Sequence, residues 1–275
     1  MLLITVNTLM KYTVVTTFNA EGYKTYGRRM IRTFLDAWPN TVELLVYAED
    51  CAVPTQASNL QVIDLHTASS ELVAFKQRYH LDPRANGQSP DPKRRDAHKP
   101  FKWHAIRFSH KVYSIMAAAK KTNADWLIWM DADMVCHTAI TEQDLDRMLP
   151  ADRDLCFLGR ANKFSECGLY GMNLRSPATQ DFLQKFQRMY DQAETGIFTL
   201  IEWHDSFVFD AVRKQCTLKE LDWTGHMITG EGHPLVNCEW GRWLDHLKGA
   251  RKTSGQSWAK DFKTPRSESY WRNIK

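Results

Sequence analysis

The stretch WLIWMDADMVCH, residues 126–137, decides how this chain is read. Five apolar residues, Trp126 to Met130, run straight into Asp131 and Asp133, two carboxylates one residue apart. A short unbroken apolar run bounded by polar residues reads as a strand buried on both faces, as in the middle of a parallel sheet. Ligands of open α/β sheets bind at the carboxyl ends of such strands. Alternate residues of an extended segment project to one side, so both carboxylates can face one ion. The motif alone carries little, because Asp144/Asp146 and Asp152/Asp154 repeat it. Asp144/Asp146 follows Thr141, which reads as a helix N-cap with acids in the first turn, and Asp152/Asp154 lies in the polar turn PADRD. Only the first pair leaves a central strand, and its oxygen ligands suit Mn²⁺ or Mg²⁺ bridging to phosphates.

Upstream, Tyr12 to Phe18 (YTVVTTF) reads as a strand and Asn19 to Tyr23 as the turn after it. Helical spacing of Met30, Ile31, Phe34, Leu35 and Trp38 predicts a helix over 26–38, stopped by Pro39-Asn40. Strands follow at 42–47, ending in Glu49 and Asp50, and at 60–65. Residues 82–100, rich in Pro, Gly and charge, form a long loop. A helix over 103–121 buries one face and carries Arg107 and Lys111 four apart on another. Beyond the aspartates come strands at 154–159 and 168–174 and helices at 177–190 and 203–214. This alternation predicts an α/β fold with a mostly parallel central sheet flanked by helices. One domain spans 11–252, and a basic, aromatic C-terminal extension follows at 253–275.

With 275 residues, 43% of them hydrophobic, the chain can bury a sizeable core. No apolar run approaches the roughly 20 residues that span a bilayer. The opening MLLITVNTL also lacks the basic flank and cleavage site of a signal peptide, so a soluble, cytoplasmic protein is expected. The six cysteines form no C-x-x-C pair, which argues against a zinc knuckle or a disulfide framework. The net charge of +4 is unevenly placed. Residues 84–102 hold six Lys/Arg against two acids, and residues 248–275 hold eight against two. Both segments point to a polyanionic partner, phosphates first, although each also fits a solvated loop. Phe101, Trp103, Trp258, Phe262, Tyr270 and Trp271 lie in or beside them and could stack bases.

The segment LIWMDADM, after strands ending in Asn19 and in Glu49-Asp50, resembles glycosyltransferases of the GT-A fold, a Rossmann-like sheet. Their D-x-D motif holds a divalent metal against the diphosphate of a nucleotide sugar. In DHLKGARK, His246-x-x-Gly249-x-x-Lys252 is similar to the C-terminal H-x-x-G-x-x-K-P-W of the glycogenin and lipopolysaccharide galactosyltransferase family, which are retaining enzymes. Thr253-Ser254 stand where that family has Pro-Trp. The resemblance implies that Asp131, Asp133 and His246 ligate the metal, and that Gly249 and Lys252 meet the phosphates. Ser165 to Leu169 and Trp203 to Ser206 match further motifs in order. By resemblance Asp205 would hold hydroxyls of the donor sugar, and Glu166 would face the sugar or the acceptor. Arg107 and Lys111 would flank the diphosphate, with Thr16, Asn19 and Glu49 or Asp50 bordering the nucleoside. His226 and His233 are rival ligands to His246. Blander readings make Asp205 a helix cap, Glu166 a loop acid, and Arg107 and Lys111 a solvated helix face.

The function expected from these residues is Mn²⁺- or Mg²⁺-dependent glycosyl transfer from a nucleotide diphosphate sugar, a UDP-sugar first, to a hydroxyl, with retention. The acceptor is either a saccharide or lipopolysaccharide, or a hydroxymethylated base in DNA as for phage-type base glycosyltransferases. The alternatives are a nucleotidyltransferase, which usually has a Gly-rich phosphate loop that is missing after Phe18, and a non-catalytic DNA-binding module.

Overall fold

The computed structural model describes residues 10–225, 232–272 and 274. Its strands are β1 (Tyr12–Asn19), β2 (Glu43–Glu49), β3 (Leu60–Asp64), β4 (Trp126–Met130), β5 (Met134–Cys136), β6 (Leu155–Leu158), β7 (Glu166–Asn173), β8 (Glu220–Asp222) and β9 (Leu244–His246). The α-helices are α1 (Ala20–Gly22), α2 (Arg28–Ala37), α3 (Leu65–Ala68), α4 (Ser70–Tyr79), α5 (Ala105–Lys121), α6 (Glu142–Met148), α7 (Pro177–Asp191), α8 (Asp205–Arg213), α9 (Pro234–Asn237) and α10 (Arg251–Ser254).

Seven strands form one sheet in the order β3-β2-β1-β4-β7-β6-β8. All its pairings are parallel except those of β7, which runs antiparallel to β4 and β6. The chain steps outward from β1 to β3, then returns through α4 and α5 to lay β4 on the other side of β1. The strand order therefore reverses between β1 and β4, and a crevice opens there at their carboxyl ends. β5 and β9 pair separately as a two-stranded ribbon, with Met134 opposite His246.

The run of five apolar residues in β4 is explained by two cores. Trp126, Ile128 and Met130 join the core on one face of the sheet, and Leu127 and Trp129 join the core on the other. Each face is covered by helices, α2, α6 and α9 on the first and α4, α5, α7 and α8 on the second. Burying both faces removes the alternation that a half-exposed strand would show.

Three elements differ from the sequence reading. The turn expected at 19–23 is helix, because the Asn19 side chain accepts the Gly22 N–H at 2.8 Å and caps α1 directly off β1. A π-helical stretch, Tyr23–Gly27, joins α1 to α2. The C-terminal extension packs against the core: Trp271 is buried and donates to Gly241 O at 2.9 Å, and Tyr270 stacks on His137 at 3.9 Å. The loop at 82–100 is tied down, with Arg84 paired to Asp82 and Glu194, and Arg94 and Lys102 both paired to Asp96 and Glu202. All six cysteines are free thiols. Among the described residues no helix is long and apolar enough to cross a membrane. His226 and the opening segment 1–9 lie outside the described residues.

Candidate active site

At the mouth of the crevice lies a cleft of about 560 Å³. Thr17, Phe18 and Asn19 from β1, Glu49 from β2, and Asp131 and Asp133 beyond β4 line it, facing His104, Arg107 and Lys111 of the α5 region and Lys252. Asp131 and Asp133 sit in the turn between β4 and β5 rather than on a strand. That turn is fixed by the Asp131 N–H, which donates to Gly168 O at 2.8 Å, and by the Leu247 N–H, which donates to Asp133 O at 3.0 Å.

The two carboxylates divide their oxygens in the same way. Asp131 Oδ1 accepts from Trp129 Nε1 at 2.8 Å and pairs with Lys111 Nζ at 3.0 Å, while its Oδ2 lies 3.7 Å from His246 Nε2. Asp133 Oδ2 pairs with Lys252 Nζ at 3.0 Å, while its Oδ1 lies 3.0 Å from His246 Nε2. Burial alone would raise the Asp133 pKa, but His246 and Lys252 beside it outweigh that and hold it well below the usual carboxylate range. The ligand atoms offered by Asp131, Asp133 and His246 all lie within 4.8 Å of one another. Two carboxylate oxygens and one imidazole nitrogen are a donor set that fits Mn²⁺ or Mg²⁺, so the residues present suit the metal that the sequence implied.

Behind His246 lies a second, buried layer. Glu166 is 2% exposed, and its Oε1 lies 3.5 Å from His246 Nδ1 and 2.5 Å from Lys248 Nζ. Glu166 is not among the residues lining the cleft and sits at the back of the imidazole. At that distance, with no hydrogen bond to Nδ1, the carboxylate acts on the ring through its charge. Burial would raise the Glu166 pKa, but Lys248 and the two histidines lower it far more. His233, the rival ligand, stands edge-on to His246 at 5.2 Å, with neither ring nitrogen bonded among the described residues. Gly168 makes room for His246, because a Cβ there would collide with the imidazole ring. Gly249 serves the left-handed backbone, with φ of +58°, that leads from His246 to Lys252.

Several of the assigned residues have partners within the chain. Lys111 is buried, and its ammonium is shared among Cys167 O at 2.8 Å, Asp205 Oδ2 at 2.5 Å and Asp131 at 3.0 Å. An ammonium has three donors, so none is left for a diphosphate. Asp205 is not the helix cap; His204 caps α8, and Asp205 is clamped by Lys111 at the floor of the cleft. Thr16 is fully buried, whereas its neighbour Thr17 lines the cleft. Asp50 has φ of +48°, which turns it out of the cleft toward His66, 3.3 Å away. Glu49 stays in, 3.3 Å from His110 Nδ1, and burial with Asp50 nearby raises its pKa to about 7 despite Lys76 and Thr17. The sequence reading missed Lys248, His104, His110 and Tyr26, whose ring lies 4.5 Å below the Lys252 ammonium.

No family model matches the chain, and no curated protein matches it. Among solved structures, the bifunctional glycosyltransferase WbbM is similar at a TM-score of 0.48 and 8% identity, over 78% of this chain and 39% of that one. Mouse xyloside xylosyltransferase 1 is similar at 0.46 and 13% identity, over 94% of this chain and 96% of that one. The glycosyltransferase GlyE of Streptococcus pneumoniae TIGR4 is similar at 0.41 and 13% identity, over 78% and 45%. The chain thus spans less than half the length of WbbM and GlyE.

Proposed function

We propose that this chain transfers a glycosyl group from a nucleoside diphosphate sugar to a hydroxyl acceptor, a saccharide or a hydroxymethylated base in DNA, in a Mn²⁺- or Mg²⁺-dependent reaction. The observation that carries the reading is the convergence of Asp131, Asp133 and His246 at the strand-order reversal, with Lys252 on the same carboxylate cluster. A divalent ion held by those three side chains would neutralise the charge that grows on the leaving diphosphate.

The other contributions come from the chain. The first turn of α5 presents His104 and Arg107 to the cleft, where the helix's partial positive charge favours an anion. Lys252 adds a cation at the opposite wall. Asn19 and Glu49, at the ends of β1 and β2, border the space for the nucleoside. Asp205 accepts sugar hydroxyls, because Lys111 holds it ionised against the penalty of burial. In the transfer the anomeric C–O bond to phosphate breaks, the acceptor oxygen bonds to the anomeric carbon, and its proton passes to a leaving phosphate oxygen. Retention is supported by the pairing of both acids named for catalysis: Glu166 is buried against Lys248 and Asp205 is held by Lys111, so neither is a free base. A second reading places Glu49, whose pKa burial raises to about 7, beside the acceptor hydroxyl instead of the nucleoside, as a general base with inversion. The anomeric configuration of the product, read by NMR, separates the two.

Asp133→Ala and His246→Ala should each lower metal-dependent turnover at least 100-fold in a folded protein. Full turnover of either variant would remove the assigned site. Donor turnover with added saccharide or DNA acceptors, against pyrophosphate release, distinguishes glycosyl from nucleotidyl transfer.

A further inference from the structure

The two basic segments in the sequence spend part of their charge on acids. In 84–102, Arg84, Arg94 and Lys102 are paired to acids; in 248–275, Lys248, Arg251, Lys252 and Arg266 are paired likewise. Lys93, Arg95 and Lys99 are also exposed and in no ion pair among the described residues, but the helical segment after β1 gathers its cations along one groove. Lys24, Arg28, Arg29 and Arg32 line one groove of about 540 Å³ together with Thr25, Leu35, Asp36 and Thr55. Lys24, Arg28 and Arg32 are exposed, and among the described residues none of the three is in an ion pair. Arg29 is half-buried and donates to Lys252 O at 3.1 Å, which fixes this groove to the strand-order crevice. Thr25 lines both the groove and the active-site cleft.

We infer that this groove binds the phosphodiester backbone of a nucleic acid strand and leads it to the cleft. Arg28 and Arg32 stand roughly 6 Å apart along α2, and Lys24 continues the row on the π-helical stretch before it. Such a row can track the phosphates of one strand, which advance about 3.4 Å per nucleotide in a duplex. The remaining lining supports backbone contact over other polyanions. The groove has no aromatic ring to pack on a pyranose face, which disfavours a glycan. None of the large exposed apolar residues, Val62, Leu81, Phe101 and Ile201, lies in the groove to enter a lipid surface. Threonine hydroxyls and cations position a strand without reading its bases. That the bound strand carries the acceptor hydroxyl rests on the glycosyl-transfer reading, whereas the backbone binding does not.

The test is fluorescence anisotropy with a labelled 20-nucleotide DNA, single-stranded and as a duplex, across a salt series. In the expected result the triple variant Lys24→Gln/Arg28→Gln/Arg32→Gln binds at least tenfold more weakly than the parent. Its salt slope, log K against log[salt], falls in magnitude by about 2–3, at roughly 0.7–0.9 per lost phosphate contact. Comparing the two probes tells a single strand from a duplex. A control, Lys93→Gln/Arg95→Gln/Lys99→Gln in the other basic segment, should change affinity less than threefold. Asp133→Ala should bind DNA like the parent, so loss of turnover and loss of binding are separate outcomes. Unchanged affinity of the groove variant would overturn the inference. So would tighter binding of the parent to heparin or to phosphatidylserine vesicles than to DNA. The single variant Arg28→Gln, on an exposed helix position, repeats the measurement if the triple variant unfolds.

Discussion

Single residues in this cleft are set by what lies behind them. Glu49 shows it through a proton. Its pKa rises from 4.5 to about 7 on folding, because burial disfavours the charged form. The folded chain therefore binds more protons than the unfolded one between those values, so stability falls as pH rises through that window and levels off above it. Glu49→Gln should abolish that slope and be the more stable protein at pH 8, by up to about 3 kcal/mol. Denaturant midpoints measured from pH 4 to 8 check it. Glu166 acts through His246. Glu166→Gln should weaken Mn²⁺ binding about 10- to 100-fold, with turnover recovering at saturating metal. Calorimetric titration alongside rates separates that positioning role from general damage, which excess metal would not repair.

Elements explain how far the site could be read in advance. That Asp131, Asp133 and His246 come together was expected from an apolar strand and from the resemblance carried by the His246-Gly249-Lys252 spacing. The choice between Thr16 and Thr17 was not legible, since successive strand residues face opposite sides and sequence does not say which side is the crevice. The position of Glu166 was not legible either: it pairs with Leu158 of β6 across a register shift, which sets it behind the imidazole. Lys111 looked like a surface cation because its acid partners, Asp131 and Asp205, come from two distant segments. The close approach of β7 to the β5–β9 ribbon is itself testable. Gly168→Ala should push His246 out of line and lower Mn²⁺ affinity at least tenfold, at a stability cost of about 1–3 kcal/mol from overpacking. Metal titration with a thermal melt reads both.

Across the whole molecule, positive charge in the sequence was a poor guide to positive surface. Part of it is spent on internal acids, while Arg28 and Arg32 of α2, hidden within an amphipathic helix pattern, stay exposed. The C-terminal extension likewise reads as a nucleic-acid arm but is part of the core. Asp245, fully buried, accepts from Ser257 N–H at 2.8 Å and Tyr270 OH at 3.0 Å. Ending the chain at residue 252 should therefore leave that carboxylate unpaired and cost about 3 kcal/mol or more. A lowered melting temperature with lost metal binding is the expected signature; an unchanged melt would mark the segment as a loose appendage. The pairing of β5 with β9 also carries a schedule. His246 meets Asp133 across 113 residues of sequence. During synthesis from the N-terminus, at 5–20 residues per second, the aspartates would wait roughly 6–20 s for their partner. Throughout that interval Asp131 already has Lys111 on the same chain, but Asp133 has neither His246 nor Lys252, so the site can be completed only once the ribbon closes.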